Sequence, residues 1–136
     1  MKVIILAGGG GTRLYPLSTP ERPKQFLPLI DNKPLIVCTI QRFLAEVSLE
    51  DIIIVTGEKY LKITRNLLEQ YKLNLVNIVC EPCQRNTAPA IALAVRYCKD
   101  VLKIDDNQTL FVVPSDHAIR PVDKYIKYVK ILSDQT

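Results

Sequence analysis

The residues with the clearest chemical potential form a glycine loop near the N-terminus. Gly8 to Gly11 are four consecutive glycines that follow the apolar run Lys2 to Leu6, and Arg13 and Lys24 come after them. Because glycine lacks a Cβ atom, the backbone N–H groups of such a loop can turn inward around a phosphate chain. Arg13 can bind phosphate oxygens through paired hydrogen bonds, and Lys24 adds a point charge. The combination favours an anion-binding loop over a tight turn, which needs only one or two glycines.

The loop matches neither of two common phosphate-binding motifs. The dinucleotide fingerprint G-x-G-x-x-G accommodates Gly9 and Gly11, but Leu14 stands where the third glycine should be. A P-loop needs a lysine followed by Ser or Thr after its last glycine, whereas Thr12 and Arg13 follow here. A dinucleotide-dependent oxidoreductase stays open as an alternative from another functional class, but the sequence lacks the third glycine of that fingerprint.

Alternating strand and helix patterns must position this loop. Short β-branched runs predict buried parallel strands at Lys2–Leu6, Asp51–Thr56, Asn74–Val79 and Thr109–Val113. Helical patterns cover Pro34–Val47, Tyr60–Tyr71, a segment from Asn86 or Thr87 to Cys98, and the residues after Pro121. The alternation predicts an α/β fold, a Rossmann-like open parallel sheet with helices on both faces. Ligands of such sheets bind beyond the carboxyl ends of the strands.

Length and composition indicate a single globular α/β domain over residues 1–136. The charge of +4 comes from scattered Lys and Arg, which fits an anionic small molecule better than a nucleic acid. The opening apolar run is too short for a signal peptide or a membrane span, so we expect a cytoplasmic protein with no membrane partner. We expect its four cysteines to be free thiols. Cys80 and Cys83 form a CxxC pair, but a zinc site needs further ligands, and His117 is the only histidine.

Three segments together resemble one enzyme family. They follow the first, third and fourth predicted strands and read GGGGTRLYPLS with PKQFL, EPCQRNTAPAIALA, and VVPSDHAI. Over nearly its whole length the chain resembles the sugar-phosphate nucleotidyltransferases, in particular the mannose-1-phosphate guanylyltransferases. The resemblance implies a fold of the nucleotide-diphospho-sugar transferase type, of which these residues would be the N-terminal, nucleotide-binding part.

The resemblance also implies a reaction and its site. The phosphate of mannose 1-phosphate would attack the α-phosphorus of GTP, giving GDP-mannose and pyrophosphate. An ionised phosphate needs no general base, so catalysis would rest on positioning and electrostatics. Arg13 and Lys24 would be the catalytic residues, and Mg²⁺ the cofactor. The nucleotide-binding residues predicted in this way are Leu6, Gly8, Gly9, Gly10, Gly11, Thr12, Glu81, Asn86, Thr87 and Ala88.

The residues after the third predicted strand suit a guanine base. Glu81 can accept the N1 and N2 protons of guanine, and Asn86 with the backbone of Thr87 and Ala88 can complete a pocket. Asn86 or Thr87 can also cap the helix that starts there, and the two roles can coexist. In that simpler interpretation Arg85 is a solvated side chain.

Asp116 follows the fourth predicted strand directly. Its hard carboxylate suits Mg²⁺, which keeps most of its waters and bridges to substrate phosphates. An acidic turn residue is the competing interpretation. We interpret His117 as an orienting or structural residue, because this phosphoryl chemistry needs charge neutralisation more than proton removal.

The chain departs from the family pattern at several points. Gly10 stands where the family usually has Ser, Tyr15 where it usually has Trp, and the stretch before Pro23 lacks the usual aromatic residue. The sequence Arg-Pro-Lys resembles relatives that act on glucose 1-phosphate with UTP or dTTP, which stay open as an alternative.

The chain is also much shorter than the family pattern. The resemblance implies that the half it lacks would carry most sugar contacts and a second metal-binding aspartate. We therefore expect nucleotide binding with little turnover, and a GTP-binding fragment without catalysis is the alternative from another class. An uncovered sheet edge and apolar helix faces would favour a homo-oligomer.

Overall fold

A computed structural model of the chain describes residues 1–83 and 86–136. Within these ranges the sheet consists of β1 (Lys2–Leu6), β2 (Ile52–Gly57), β3 (Asn77–Glu81) and β4 (Leu110–Pro114). The α-helices are α1 (Leu35–Phe43), α2 (Leu61–Gln70), α3 (Thr87–Asp100) and α4 (Val122–Gln135). The predicted alternation of strands and helices is confirmed. Arg85, interpreted above as a solvated side chain, lies outside the described residues.

The strands are all parallel and lie in the order β3-β2-β1-β4. The first strand is therefore central, with Val3 paired to Ile52 of β2 and Lys2 paired to Leu110 of β4. Since parallel strands end at the same edge of a sheet, the residues that follow β1, β3 and β4 share one rim. This topology explains how segments far apart in sequence meet.

The sheet divides the apolar core into two layers. Helices α1, α2 and α4 pack on one face against residues such as Val3 and Ile54. Helix α3 packs on the other face, where Ala94 lies against Ile4 and Ile53. Strands buried on both faces are typical of parallel α/β sheets, and they explain the continuous β-branched runs in the sequence. The predicted fold class, with helices on both faces, is confirmed.

The predicted boundaries differ most from the structure at the end of α1 and the start of β3, while β3 and α3 each end two residues later than predicted. Helix α1 ends at Phe43, and Val47 lies in the following turn, where its N–H donates to the Phe43 carbonyl and its side chain still packs on the core. Strand β3 begins at Asn77 rather than Asn74. The Asn77 amide group donates to the carbonyls of Glu50 and Ile52, and this side-chain contact marks the start of strand pairing.

Apolar side chains are exposed on the edge strand β4 and on helix α4. Val112 of β4 and Tyr128, Ile131 and Leu132 of α4 are all more than a third exposed. Self-association through these surfaces stays a prediction. The described helices include none that is both long and apolar enough to cross a membrane. All four cysteines are free thiols in the structure.

An ion pair joins the start of β1 to the start of β2. Lys2 Nζ lies 2.6 Å from Asp51 Oδ1, and the N–H and hydroxyl of Ser48 donate to Asp51 Oδ2 over 3.1 and 2.8 Å. Burial raises the pKa of Asp51, but the hydrogen bonds from Lys2 and Ser48 outweigh burial and bring the pKa below its ordinary value. The pair therefore favours the charged carboxylate in the folded state.

This lowered pKa predicts a pH-dependent stability. A depressed carboxyl pKa contributes stability that is present above the unfolded-state value of about 3.9 and is lost as pH falls through the folded value. We expect the free energy of unfolding to decrease below about pH 4, and to decrease less steeply in Asp51→Asn. Urea denaturation at a series of pH values measures this. Asp134→Asn, at an exposed position of α4, should keep the wild-type slope, and an Asp51→Asn slope equal to wild type would contradict the prediction.

Candidate functional site

The glycine loop leaves the carboxyl end of β1 and leads into a short 3₁₀ turn, Thr12–Leu14. Gly11 has a φ of +45°, in the left-handed region that favours glycine, and a Cβ there would lie 2.9 Å from the backbone N of Lys24. A Cβ at Gly8 would lie 2.5 Å from Glu81 Oε2. A Cβ at Gly9 or Gly10 would have no neighbour within 4 Å among residues 1–83 and 86–136. Gly11 is thus required by its backbone conformation, a side chain at Gly8 would displace the Glu81 carboxylate, and Gly9 and Gly10 leave room above the loop.

A second segment, Pro23 to Phe26, holds this loop in place. The N–H of Lys24 donates to the Gly11 carbonyl over 3.2 Å. The side-chain amide of Gln25 donates to the carbonyls of Ala7 and Gly9, over 3.2 and 3.0 Å. Gln25 is only 3% exposed, so its amide fixes the loop from the protein interior. Sequence reasoning missed Gln25, because a single glutamine in an irregular segment has no periodic signal.

Replacement of Gln25 by leucine is expected to destabilise the fold. Gln25→Leu keeps the volume but leaves the Gly9 carbonyl without this donor, whereas the Ala7 carbonyl keeps the Thr56 hydroxyl at 3.3 Å. Gly9 is exposed, so water can solvate its carbonyl, and the loss of this hydrogen bond costs about 0.5–1.5 kcal/mol, which urea denaturation resolves. Gln41→Leu, at an exposed glutamine, should change stability by less than about 0.5 kcal/mol. Equal midpoints for the two variants would contradict the assigned role of Gln25.

The glycine loop forms one wall of a cleft of about 670 Å³. We call this cleft the cationic lobe; it is lined by Leu6, Gly9, Gly10, Gly11, Thr12, Arg13, Leu14, Lys24, Gln25, Ser115 and Asp116. Lys24 Nζ lies 3.7 Å from Asp116 Oδ2, with each side chain about a third exposed. His117 Nε2 lies 3.8 Å from the other Asp116 oxygen, Oδ1. Arg13 is exposed and has no hydrogen-bond or ion-pair partner in the described part of the chain.

A second, smaller cleft of about 280 Å³ adjoins the cationic lobe. We call it the Glu81 lobe; it is lined by Leu6, Gly8, Gly9, Glu81, Asn86, Thr87 and Ala90. Glu81 is 7% exposed and ends β3, on the opposite side of β1 from Asp116. The two lobes share Leu6 and Gly9, so they form one continuous surface above the rim of the sheet.

The start of α3 differs in detail from expectation. Asn86 occupies the N-cap position with a φ of +86°, but its side chain makes no capping hydrogen bond to the described residues. The predicted N-cap position is therefore confirmed at Asn86, but the expected capping hydrogen bond from its side chain is not formed within the described part of the chain. Ala88 is not among the residues that line the Glu81 lobe, whereas Ala90, which was not predicted, is. Ala90 is found by helical geometry, since it lies one turn along α3 from Asn86 and Thr87.

The carboxylate of Asp116 fits a cation site that is completed by substrate phosphates. In residues 1–83 and 86–136 no cluster of three or more His, Cys, Asp or Glu side chains could hold a metal ion by itself. Mg²⁺ commonly binds through one or two carboxylates together with substrate phosphates and water. The half-buried Asp116 carboxylate, facing the same lobe as Arg13 and Lys24, fits such a phosphate-bridged ion. The role of Mg²⁺ stays a prediction.

Comparison with known proteins identifies the class of this fold and site. Residues 2–135 match the family model described as nucleotidyl transferase, so the chain belongs to the nucleotidyl transferase family. It is 36% identical over 127 residues to the mannose-1-phosphate guanylyltransferase of Escherichia coli. That alignment covers 93% of this chain and 27% of the relative, so the chain spans about a quarter of the length of that curated relative.

Solved structures show the same fold. A structure described as mannose-1-phosphate geranyltransferase from Thermus thermophilus is 30% identical, with a TM-score of 0.79 over 96% of this chain and 36% of that one. A putative glucose-1-phosphate thymidylyltransferase from Bacillus anthracis is 26% identical, with a TM-score of 0.67 over 96% of this chain and 50% of that one. The likeness therefore extends across relatives described with different sugar phosphates.

Proposed function

We propose that this chain is the nucleotide-binding part of a mannose-1-phosphate guanylyltransferase. The observation that carries the proposal is the pairing of two adjoining lobes, one with the buried Glu81 and one with Arg13 and Lys24. GTP has two matching parts: its base edge presents N–H donors, which suit Glu81, and its phosphate chain is anionic, which suits Arg13 and Lys24. The continuity of the lobes at Leu6 and Gly9 suits one ligand that spans both.

The Glu81 lobe would select the base. A buried carboxylate needs hydrogen-bond donors, and guanine presents two adjacent ones at N1 and N2. Adenine presents an acceptor at N1, which would face the Glu81 carboxylate unfavourably. Sites built to hydrogen-bond one group reject analogues that lack it, because the buried partner is then left unpaired. The burial of Glu81 thus supports a preference for guanine.

The cationic lobe would perform the chemistry through charge and position. An oxygen of mannose 1-phosphate attacks the α-phosphorus of GTP; the new P–O bond forms as the bond to the β-phosphate bridge breaks, and pyrophosphate leaves with that electron pair. Arg13 would bind phosphate oxygens, and Lys24 would neutralise charge near the α-phosphate. Asp116 would hold Mg²⁺, which supplies further positive charge to the triphosphate. The attacking phosphate is already ionised, so His117 has no proton to remove.

A second candidate function concerns the sugar and the base. The likeness to the Bacillus anthracis structure, described as a putative glucose-1-phosphate thymidylyltransferase, and the sequence Arg22-Pro23-Lys24 both favour a glucose-1-phosphate uridylyl- or thymidylyltransferase. A uracil or thymine base presents only one ring N–H donor to Glu81, whereas guanine presents a pair. The geometry of the Glu81 lobe therefore supports GTP more strongly.

A nucleotide panel tests the proposal. Calorimetry with GTP, ATP, UTP, dTTP and NAD, each with Mg²⁺, is expected to show GTP bound at least about tenfold more tightly than the others. Pyrophosphate release on addition of mannose 1-phosphate or glucose 1-phosphate then reports turnover and sugar preference. A preference for UTP or dTTP would favour the second candidate, and binding without pyrophosphate release would identify a binding fragment. NAD binding in the absence of GTP binding would overturn both.

A further inference from the structure

Two side chains of α1 hold the backbone on either side of Asp116. The Thr39 hydroxyl donates to the Ser115 carbonyl over 3.3 Å, and Nη2 of Arg42 donates to the His117 carbonyl over 2.8 Å. Thr39 and Arg42 are three residues apart, so they project from the same face of the helix. We call this pair the α1 clamp. It joins α1 to a loop more than 70 residues further along the chain.

The clamp is buried, and one of its members is costly to bury. Thr39 is fully buried and Arg42 is 6% exposed. Burial partly removes water from the Arg42 guanidinium, and this desolvation lowers its pKa from the ordinary value. Among residues 1–83 and 86–136, no carboxylate forms an ion pair with Arg42; its guanidinium lies 5.6 Å from the centre of the Tyr125 ring. A methionine would fill similar volume without this desolvation, so packing alone does not account for an arginine here.

The positions of the two acceptor carbonyls give a reason for placing Thr39 and Arg42 here. The acceptors of both hydrogen bonds are the backbone carbonyls on either side of Asp116. The two bonds therefore restrict the backbone from which the Asp116 carboxylate projects into the cationic lobe. The Asp116 side chain itself meets Lys24 Nζ at 3.7 Å, which adds a restraint on the lobe side. The carboxylate is therefore oriented from two sides, by α1 beneath the loop and by Lys24 above it.

We propose that Thr39 and Arg42 are positioning residues that orient Asp116 toward a magnesium-bound triphosphate. This inference rests on the proposed function, because it assigns the clamp to the same nucleotide site. Groups that orient a metal-binding side chain typically contribute 10- to 100-fold to metal affinity. The clamp should therefore affect the magnesium dependence of nucleotide binding more than nucleotide binding itself.

Thr39→Val tests the clamp with little change of volume. The Mg²⁺ concentration that gives half-maximal GTP binding is expected to rise about tenfold, while GTP affinity in the presence of EDTA stays within about twofold of wild type. Amide hydrogen exchange at residues 115–118 is expected to be faster, which reports loosening of the loop without any ligand. Thr39→Ser restores the hydroxyl and should restore both properties. Arg42→Met gives an independent second variant, and Thr39→Val alone decides the test if Arg42→Met does not fold.

The outcomes separate this inference from the proposed function. A wild-type chain that binds no GTP overturns the proposed function and the clamp role with it. If the wild-type chain instead binds GTP in a magnesium-dependent way, and Thr39→Val needs the same Mg²⁺ concentration for half-maximal GTP binding, the clamp role alone is overturned. Equal losses of GTP affinity with Mg²⁺ and with EDTA would assign Thr39 a merely structural role and would also overturn it.

Discussion

Arg13→Ala is expected to lower the GTP affinity of the chain by about 10- to 100-fold, the usual contribution of hydrogen bonds to a charged group. Arg13 lines the cationic lobe and has no partner among the residues that the structure describes, so its guanidinium is available to bind phosphate oxygens. The loss should be largest for GTP and smallest for GMP, because fewer phosphates leave fewer partners. Calorimetric titration with GTP, GDP and GMP measures this series.

A control for this prediction must change the net charge by the same amount elsewhere. Arg65 is an exposed residue of α2 outside both lobes, and Arg65→Ala should leave GTP affinity within about twofold of wild type. If Arg65→Ala lost as much affinity as Arg13→Ala, the effect would come from net charge, and the assignment of Arg13 to the phosphates would be wrong.

Gly8→Ala is expected to weaken the preference for GTP over ATP by about tenfold or more while leaving every charge in place. A Cβ at residue 8 would lie 2.5 Å from Glu81 Oε2, so the carboxylate must move although it is only 7% exposed. A displaced carboxylate leaves the guanine N–H groups without their acceptor, which costs about 1–3 kcal/mol. Competition between GTP and ATP for the site measures the preference.

A double-mutant cycle gives this prediction its sharpest test. Glu81→Ala removes the group that the new Cβ would displace, so Gly8→Ala should have little further effect on base preference in that background. Additive effects of Gly8→Ala and Glu81→Ala would show that Gly8 acts through another contact. Unfolding midpoints of the three variants provide the control for a general loss of structure.

Most of the fold follows from local sequence patterns. The β-branched runs at β1, β2 and β4 predict their strands to within a residue at each end. The central strands β1 and β2 are buried on both faces and need continuous apolar segments, whereas β4 is partly exposed although its run is also apolar. The end of α1 was misjudged at Val47, since an apolar residue in a turn can face the core just as a helical residue does. At the start of β3 the Asn77 side chain donates to the carbonyls of Glu50, in the turn before β2, and Ile52, in β2, and no local pattern contains these contacts.

The candidate site was predictable where its residues follow strands. The glycine loop follows β1, Glu81 ends β3 and Asp116 comes shortly after β4, and parallel topology brings such positions to one rim. The supporting residues were not predictable in the same way. Thr39 has the pattern of a core helix position, and Arg42 has that of a solvated helix residue, although its guanidinium is buried on the His117 carbonyl. Their roles depend on contacts across more than 70 residues, which need the folded structure to be recognised.

The strand order also has a consequence for how the chain is made. The central strand β1 leaves the ribosome before β4, with which it pairs by joining Lys2 to Leu110. At about 5–20 residues per second, one edge of β1 therefore waits roughly 5–20 s for its partner strand. During that interval the apolar segment Val3–Leu6 presents unpaired backbone groups, which are a template for pairing with other chains. We therefore expect the nascent chain to depend on chaperones more than the finished fold does.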